Sequence, residues 1–164
     1  MRQRANQPRA LWVIAVSFFV AYLLAAVPLP HVIALGRPDW VGLFLIFWVL
    51  AVPERVGVFI GFCVGILQDV VMGTYLGTFA LAYSALAYVV LVLHLRLRMY
   101  PLLQQAVVVF MIIALSQILV QWFKSFFNAG FDAGMHLLPA VISAVFWPWI
   151  YILLRSVQVQ FRVQ

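Results

Sequence analysis

The chain carries four acids, three histidines and one cysteine with which to do chemistry. Acid–base work between carboxylates, as in an intramembrane aspartyl protease, needs two facing acids. Asp39, Glu54 and Asp132 instead fall near or beyond the ends of apolar runs. His31 lies in a loop, His94 ends one apolar run and His136 begins another, so no metal-ligand spacing results. A serine hydrolase needs a glycine-flanked nucleophile, yet Ser84 stands in "AYSALAY" and Ser116 in "ALSQI". Cys63 excludes an internal disulfide and reads as a small packing residue. These residue types imply neither catalysis nor a cofactor or metal.

Asp69 is different. In "GVFIGFCVGILQDVVMGTYLG", Gly57, Gly61, Gly65, Asp69, Gly73 and Gly77 recur at every fourth position. A step of four advances about 40° beyond one helical turn, so Gly57, Gly61 and Gly65 share one side of a helix. Their small-xxx-small spacing permits close approach of another helix, either within the chain or from a partner. Gly73 and Gly77 bracket a turn, where unusual backbone angles are needed. A charged Asp at a helix centre costs about 2.5–3.5 kcal/mol on insertion scales and so faces protein or water. Gln117, Gln121 and Lys124 line one face of a later helix, with Gln117 at about the same depth as Asp69. Asp69 is therefore expected to be buried against Gln117 and Gln121, with Thr74 and Tyr75 close by. Such an anchor fits a helix-locking hydrogen bond, a proton or solute site, or a contact governing assembly.

The elements that position these residues follow from composition. Of the 164 residues, 67% are hydrophobic and 9% charged, with a mean hydropathy of +1.12. A soluble domain of this size could not hide so much apolar surface, and disorder needs the opposite composition. Apolar runs of about seventeen residues recur, long enough for a hydrocarbon core about 30 Å thick. The chain reads as an all-α, polytopic membrane protein forming a single six-span domain over residues 1–164. The expected spans are Leu11–Val27, Trp40–Val52, Val56–Met72, Leu76–Leu95, Leu102–Phe123 and Leu137–Leu154. The basic start followed by Leu11–Val27 reads as an uncleaved first span rather than a signal peptide.

Pro28, Pro30, Arg37 and Pro38 bracket the first loop, and "PER" at Pro53 to Arg55 makes a tight hairpin. Pro101 restarts a helix after "RLR", and Lys124, Asn128, Gly130, Asp132 and Gly134 suit a loop. On the side of the termini lie Arg2, Arg4, Arg9, Arg55, Arg96, Arg98, Arg155 and Arg162; on the other lie Arg37 and Lys124. That asymmetry places both termini in the cytoplasm and explains the net charge of +6 without nucleic acid. In "FWPWIYILLR", Trp147, Pro148 and Trp149 read as a packed kink or an aromatic face for a lipid tail or partner helix.

"RPDW" at Arg37 to Trp40, Pro53, the Gly57-to-Gly77 block and "WPWIYILLR" resemble the MreD family of rod-shaped bacteria over essentially the whole chain. The resemblance implies a non-enzymatic subunit of the cell-wall elongation complex in the bacterial inner membrane, supporting peptidoglycan synthesis and rod cell shape. It implies MreC as the main partner, within a wider complex with MreB, RodA and its transpeptidase. It further implies a fold like the six-helix substrate-binding subunits of energy-coupling-factor transporters. No ligand-binding motif of those subunits matches, so solute or lipid binding is the alternative. MreC is expected to be gripped by the glycine ladder and the sixth span.

Overall fold

The computed structural model describes residues 7–27, 37–126 and 137–161. The described residues form six helices: α1 (Gln7–Ala26), α2 (Trp40–Ala51), α3 (Val58–Met72), α4 (Thr78–Leu97), α5 (Leu102–Phe126) and α6 (Leu137–Gln160). The expected loop carrying Asn128, Gly130, Asp132 and Gly134 lies outside the described residues, as do Pro28, Pro30, His31 and His136. Lys124 belongs to the last turn of α5 rather than to that loop. Arg155 sits inside α6, which continues to Gln160 instead of stopping at Leu154.

α4, α5 and α6 are each long and apolar enough to cross a membrane. The apolar part of α1 (Leu11–Ala26), α2 and α3 are shorter. At 1.5 Å per residue, the 12-residue α2 measures only about 18 Å.

α2 explains how so short a helix is held. Its sequence "WVGLFLIFWVLA" is apolar on every side, the pattern of a helix enclosed by others. Val41 to Leu50 are all buried, and α2 packs against each of the other five helices. Around it the neighbours run α1, α3, α4, α5, α6; α1 and α6 do not pack on each other among the described residues. Trp48 is enclosed and donates its indole N–H to Ser17 Oγ on α1 at 2.7 Å.

Both ends of α2 stop within the protein, so its terminal backbone groups need partners. Asp39 caps the start, accepting from Gly42 N at 2.9 Å. Arg98 closes the other end, donating through Nε to Leu50 O at 2.9 Å and through a terminal nitrogen to Ala51 O at 3.2 Å. An acid at the N-terminus and a base at the C-terminus each oppose the helix dipole. The bundle thus has a basic end, with Arg55, Arg96, Arg98 and Arg155, and a far end, with Arg37, Asp39 and Asp69.

Candidate functional site

The far end is built around Asp69, in the last turn of α3. The chain leaves α3 through Gly73, whose φ of 63° is left-handed, and enters α4 through Gly77, with φ 103°. The first N–H groups of a helix have no intrahelical acceptor. Asp69 supplies one. Its Oδ1 accepts from Thr74 Oγ1 at 2.7 Å and Phe79 N at 2.9 Å, and its Oδ2 from Gly77 N at 2.9 Å and Ala80 N at 3.3 Å. The residue has no exposed surface. A carboxylate from one helix therefore serves as the cap of the next, where the dipole also favours negative charge.

This corrects the expected contact with Gln117 and Gln121. The carboxylate is satisfied by donors from its own hairpin, so it needs no amide from α5. Gln117 is half-buried and Gln121 buried on α5, which does pass beside the turn. There α5 contributes Lys124, whose Nζ lies 5.8 Å from the Phe79 ring centre.

The glycine ladder divides by function. A Cβ on Gly65 would lie 2.4 Å from Ala80 Cα and 2.5 Å from Phe79 O; one on Gly61 would lie 2.8 Å from Tyr83 O. These two glycines are the seam between α3 and α4 and offer no surface to a partner. Gly57 is unlike them: its Cβ would meet Leu91 Cδ1 at an ordinary 3.8 Å.

Asp39 belongs to the same end, and only its cap position, directly before the apolar run from Trp40, could have signalled its role. Oδ1 accepts from Tyr83 Oη at 2.7 Å as well as from Gly42 N, while Asp39 N donates to Ser143 Oγ at 2.8 Å. One residue thereby ties α2 to α4 and α6. Tyr22 on α1 donates to Val64 O on α3 at 2.6 Å, and Arg37 to Leu24 O at 3.2 Å. Asp39 Oδ2, Arg37 Nε and Gln68 Oε1 are buried polar atoms without a partner among the described residues.

Trp147 and Trp149 part company across Pro148. Trp147 is enclosed and donates to Gln105 Oε1 at 3.4 Å, whereas Trp149 is 76% exposed. Pro148 lies inside α6 and has no N–H for the Ala144 carbonyl. Gln105, also buried, donates to Leu97 O at 2.8 Å and Tyr100 O at 3.2 Å, closing the end of α4. Ser84 and Ser116 donate to Ala80 O and Ile113 O of their own helices. Cys63 is exposed on α3, so it is not the packing residue expected. No group of three or more metal-ligating side chains occurs among the described residues.

The assembly is an all-helical membrane protein whose polar side chains join helices to one another. The family model described as rod shape-determining protein MreD matches residues 8–157. The chain is also 30% identical over 148 residues to the rod shape-determining protein MreD of Haemophilus influenzae, covering 90% of this chain and 91% of that one. The chain belongs to the MreD family of rod shape-determining proteins. No solved structure matches it significantly.

Proposed function

We infer that this chain is a non-enzymatic scaffold of the cell-wall elongation machinery in the inner membrane, and that it works by binding MreC. Family membership over residues 8–157 is the observation that carries this reading. The site residues agree with it: Asp39, Asp69, Gly61 and Gly65 spend their polar groups and close contacts on fixing helices. All six helices cross or enter the membrane in this reading, with the basic end in the cytoplasm.

Because Gly61 and Gly65 are used internally, the partner surface moves to the lipid-facing side of α6 around Trp149. MreC, itself in a complex with MreB, RodA and its transpeptidase, would dock there through its transmembrane helix. A rod-shaped bacterium depleted of its own MreD tests the function. Expression of this chain is expected to restore rods, and a photoreactive residue at position 149 to crosslink MreC. Rounded cells despite inserted, folded protein would overturn the shape role, and crosslinking only from other faces would move the interface.

Solute binding is the second reading. It draws on the unpartnered Asp39 Oδ2 and Gln68 Oε1, since buried polar atoms normally have partners.

A further inference from the structure

A cleft of about 700 Å³ opens at the basic end, between the start of α5 and the last turns of α6. A second cavity of about 390 Å³ shares Arg98, Gln105, Tyr151 and Arg155 with it and reaches under the end of α2. The amide of Gln105 is committed to Leu97, Tyr100 and Trp147. The two cations differ. Arg98 is engaged by the carbonyls of Leu50 and Ala51. The Arg155 guanidinium lies 5.9 Å from the Tyr151 ring centre and is neither hydrogen-bonded nor ion-paired to another described residue.

Among the described residues no acid lines either cavity. Pro101 and Leu102, where α5 begins, form another wall and bring the partial positive charge of a helix N-terminus to the same place. Two guanidiniums and a helix start with no opposing carboxylate select an anion, and arginine suits phosphate oxygens in particular. The rest of the lining separates a membrane ligand from a soluble one. Ile152 and Val159 are apolar lining residues and are 58% and 69% exposed, so the cleft opens onto the exposed, partly apolar side of α6.

We propose that this cleft holds one anionic phospholipid. Its phosphate lies between Arg155 and Arg98, and an acyl chain runs from there past Ile152 toward the middle of α6. This site is independent of the scaffold reading: it would exist whether or not MreC binds.

The test is native mass spectrometry of the full chain in a mild neutral detergent, with phosphatidylglycerol or phosphatidylcholine added. The wild type is expected to retain phosphatidylglycerol in preference to phosphatidylcholine. Arg155→Gln is expected to lose about fivefold in that retention, the equivalent of about 1 kcal/mol per basic residue near a membrane surface. Arg155→Lys is expected to keep most of it. Thermal unfolding should change little in both variants, because among the described residues the Arg155 head group meets only the Tyr151 ring of its own helix. Equal retention of the two lipids, or undiminished retention by Arg155→Gln, would overturn the proposal. Displacement of the lipid by excess inorganic phosphate would overturn the lipid assignment in favour of a soluble anion.

Discussion

Gly65 and Asp69, one helical turn apart on α3, engage the same two residues of α4. The missing side chain of Gly65 lets Phe79 O and Ala80 Cα come within 2.5 Å and 2.4 Å of where a Cβ would stand, and Asp69 accepts from Phe79 N and Ala80 N. The acid stands in the glycine ladder because the glycine brings unpaired backbone donors within its reach. Close packing alone would not need the carboxylate, and a carboxylate without the close approach would be buried unpaired.

Asp69→Asn should therefore destabilise the protein even though shape and size are kept. The amide replaces one acceptor oxygen with a donor facing N–H groups, and leaving a buried partner unsatisfied costs about 1–3 kcal/mol. Asp69→Leu, which removes both oxygens, should cost more than Asn. Chemical unfolding in detergent measures the order; equal stability of wild type and Asp69→Leu would contradict the cap.

Three glycines at identical spacing should respond differently to alanine. Gly65→Ala, whose Cβ meets backbone, is expected to cost about 1–3 kcal/mol or more by overpacking. Gly61→Ala should be milder, since its 2.8 Å contact is with a single carbonyl oxygen before Ala87 Cβ at 3.0 Å. Gly57→Ala should be tolerated, because its nearest contact is at 3.8 Å. Thermal unfolding of the three variants in one detergent reads the gradient.

Tyr83→Phe removes the hydroxyl that binds Asp39 Oδ1 and leaves this buried carboxylate with one fewer donor. A loss of about 1.5–3 kcal/mol is expected for a hydrogen bond to a charged group. Ser143→Ala breaks the neutral bond to Asp39 N and should cost about 0.5–1.5 kcal/mol. Denaturant titration of each variant checks the difference.

Trp147→Ala and Trp149→Ala should separate folding from assembly. Trp147 is enclosed, and truncating such a side chain costs about 3–5 kcal/mol. Trp149 is 76% exposed, so its loss should leave unfolding unchanged and weaken MreC capture. Paired unfolding and co-purification assays distinguish them.

The sequence made the burial of Asp69 legible, because a carboxylate inside an apolar run must find protein or water. Thr74 was legible as a neighbour and donates to the carboxylate, but the backbone partners were not legible from depth alone. Matching Asp69 to Gln117 by distance along the helices ignored the nearer donors, the unpaired N–H groups that every helix start presents. Asp39 carried a readable signal, an acid immediately before an apolar helix, and its cap position follows from that. Its bond to Tyr83 joins residues 44 apart in the chain, which local pattern does not encode. Arg98 likewise reads as a topology marker, although it also closes the end of α2. The split between Trp147 and Trp149 follows from helical geometry: two residues apart, they point about 200° from one another, so one faces α5 and the other outward.

The scaffold role is tested most directly by gentle affinity purification of the chain from native membranes, with mass spectrometry of co-purifying proteins and small molecules. Stoichiometric MreC is the expected result, with bound phospholipid compatible with it. A chain recovered without MreC and carrying a defined water-soluble molecule would contradict the scaffold and put the unpartnered atoms of Asp39 and Gln68 at the centre of a binding site.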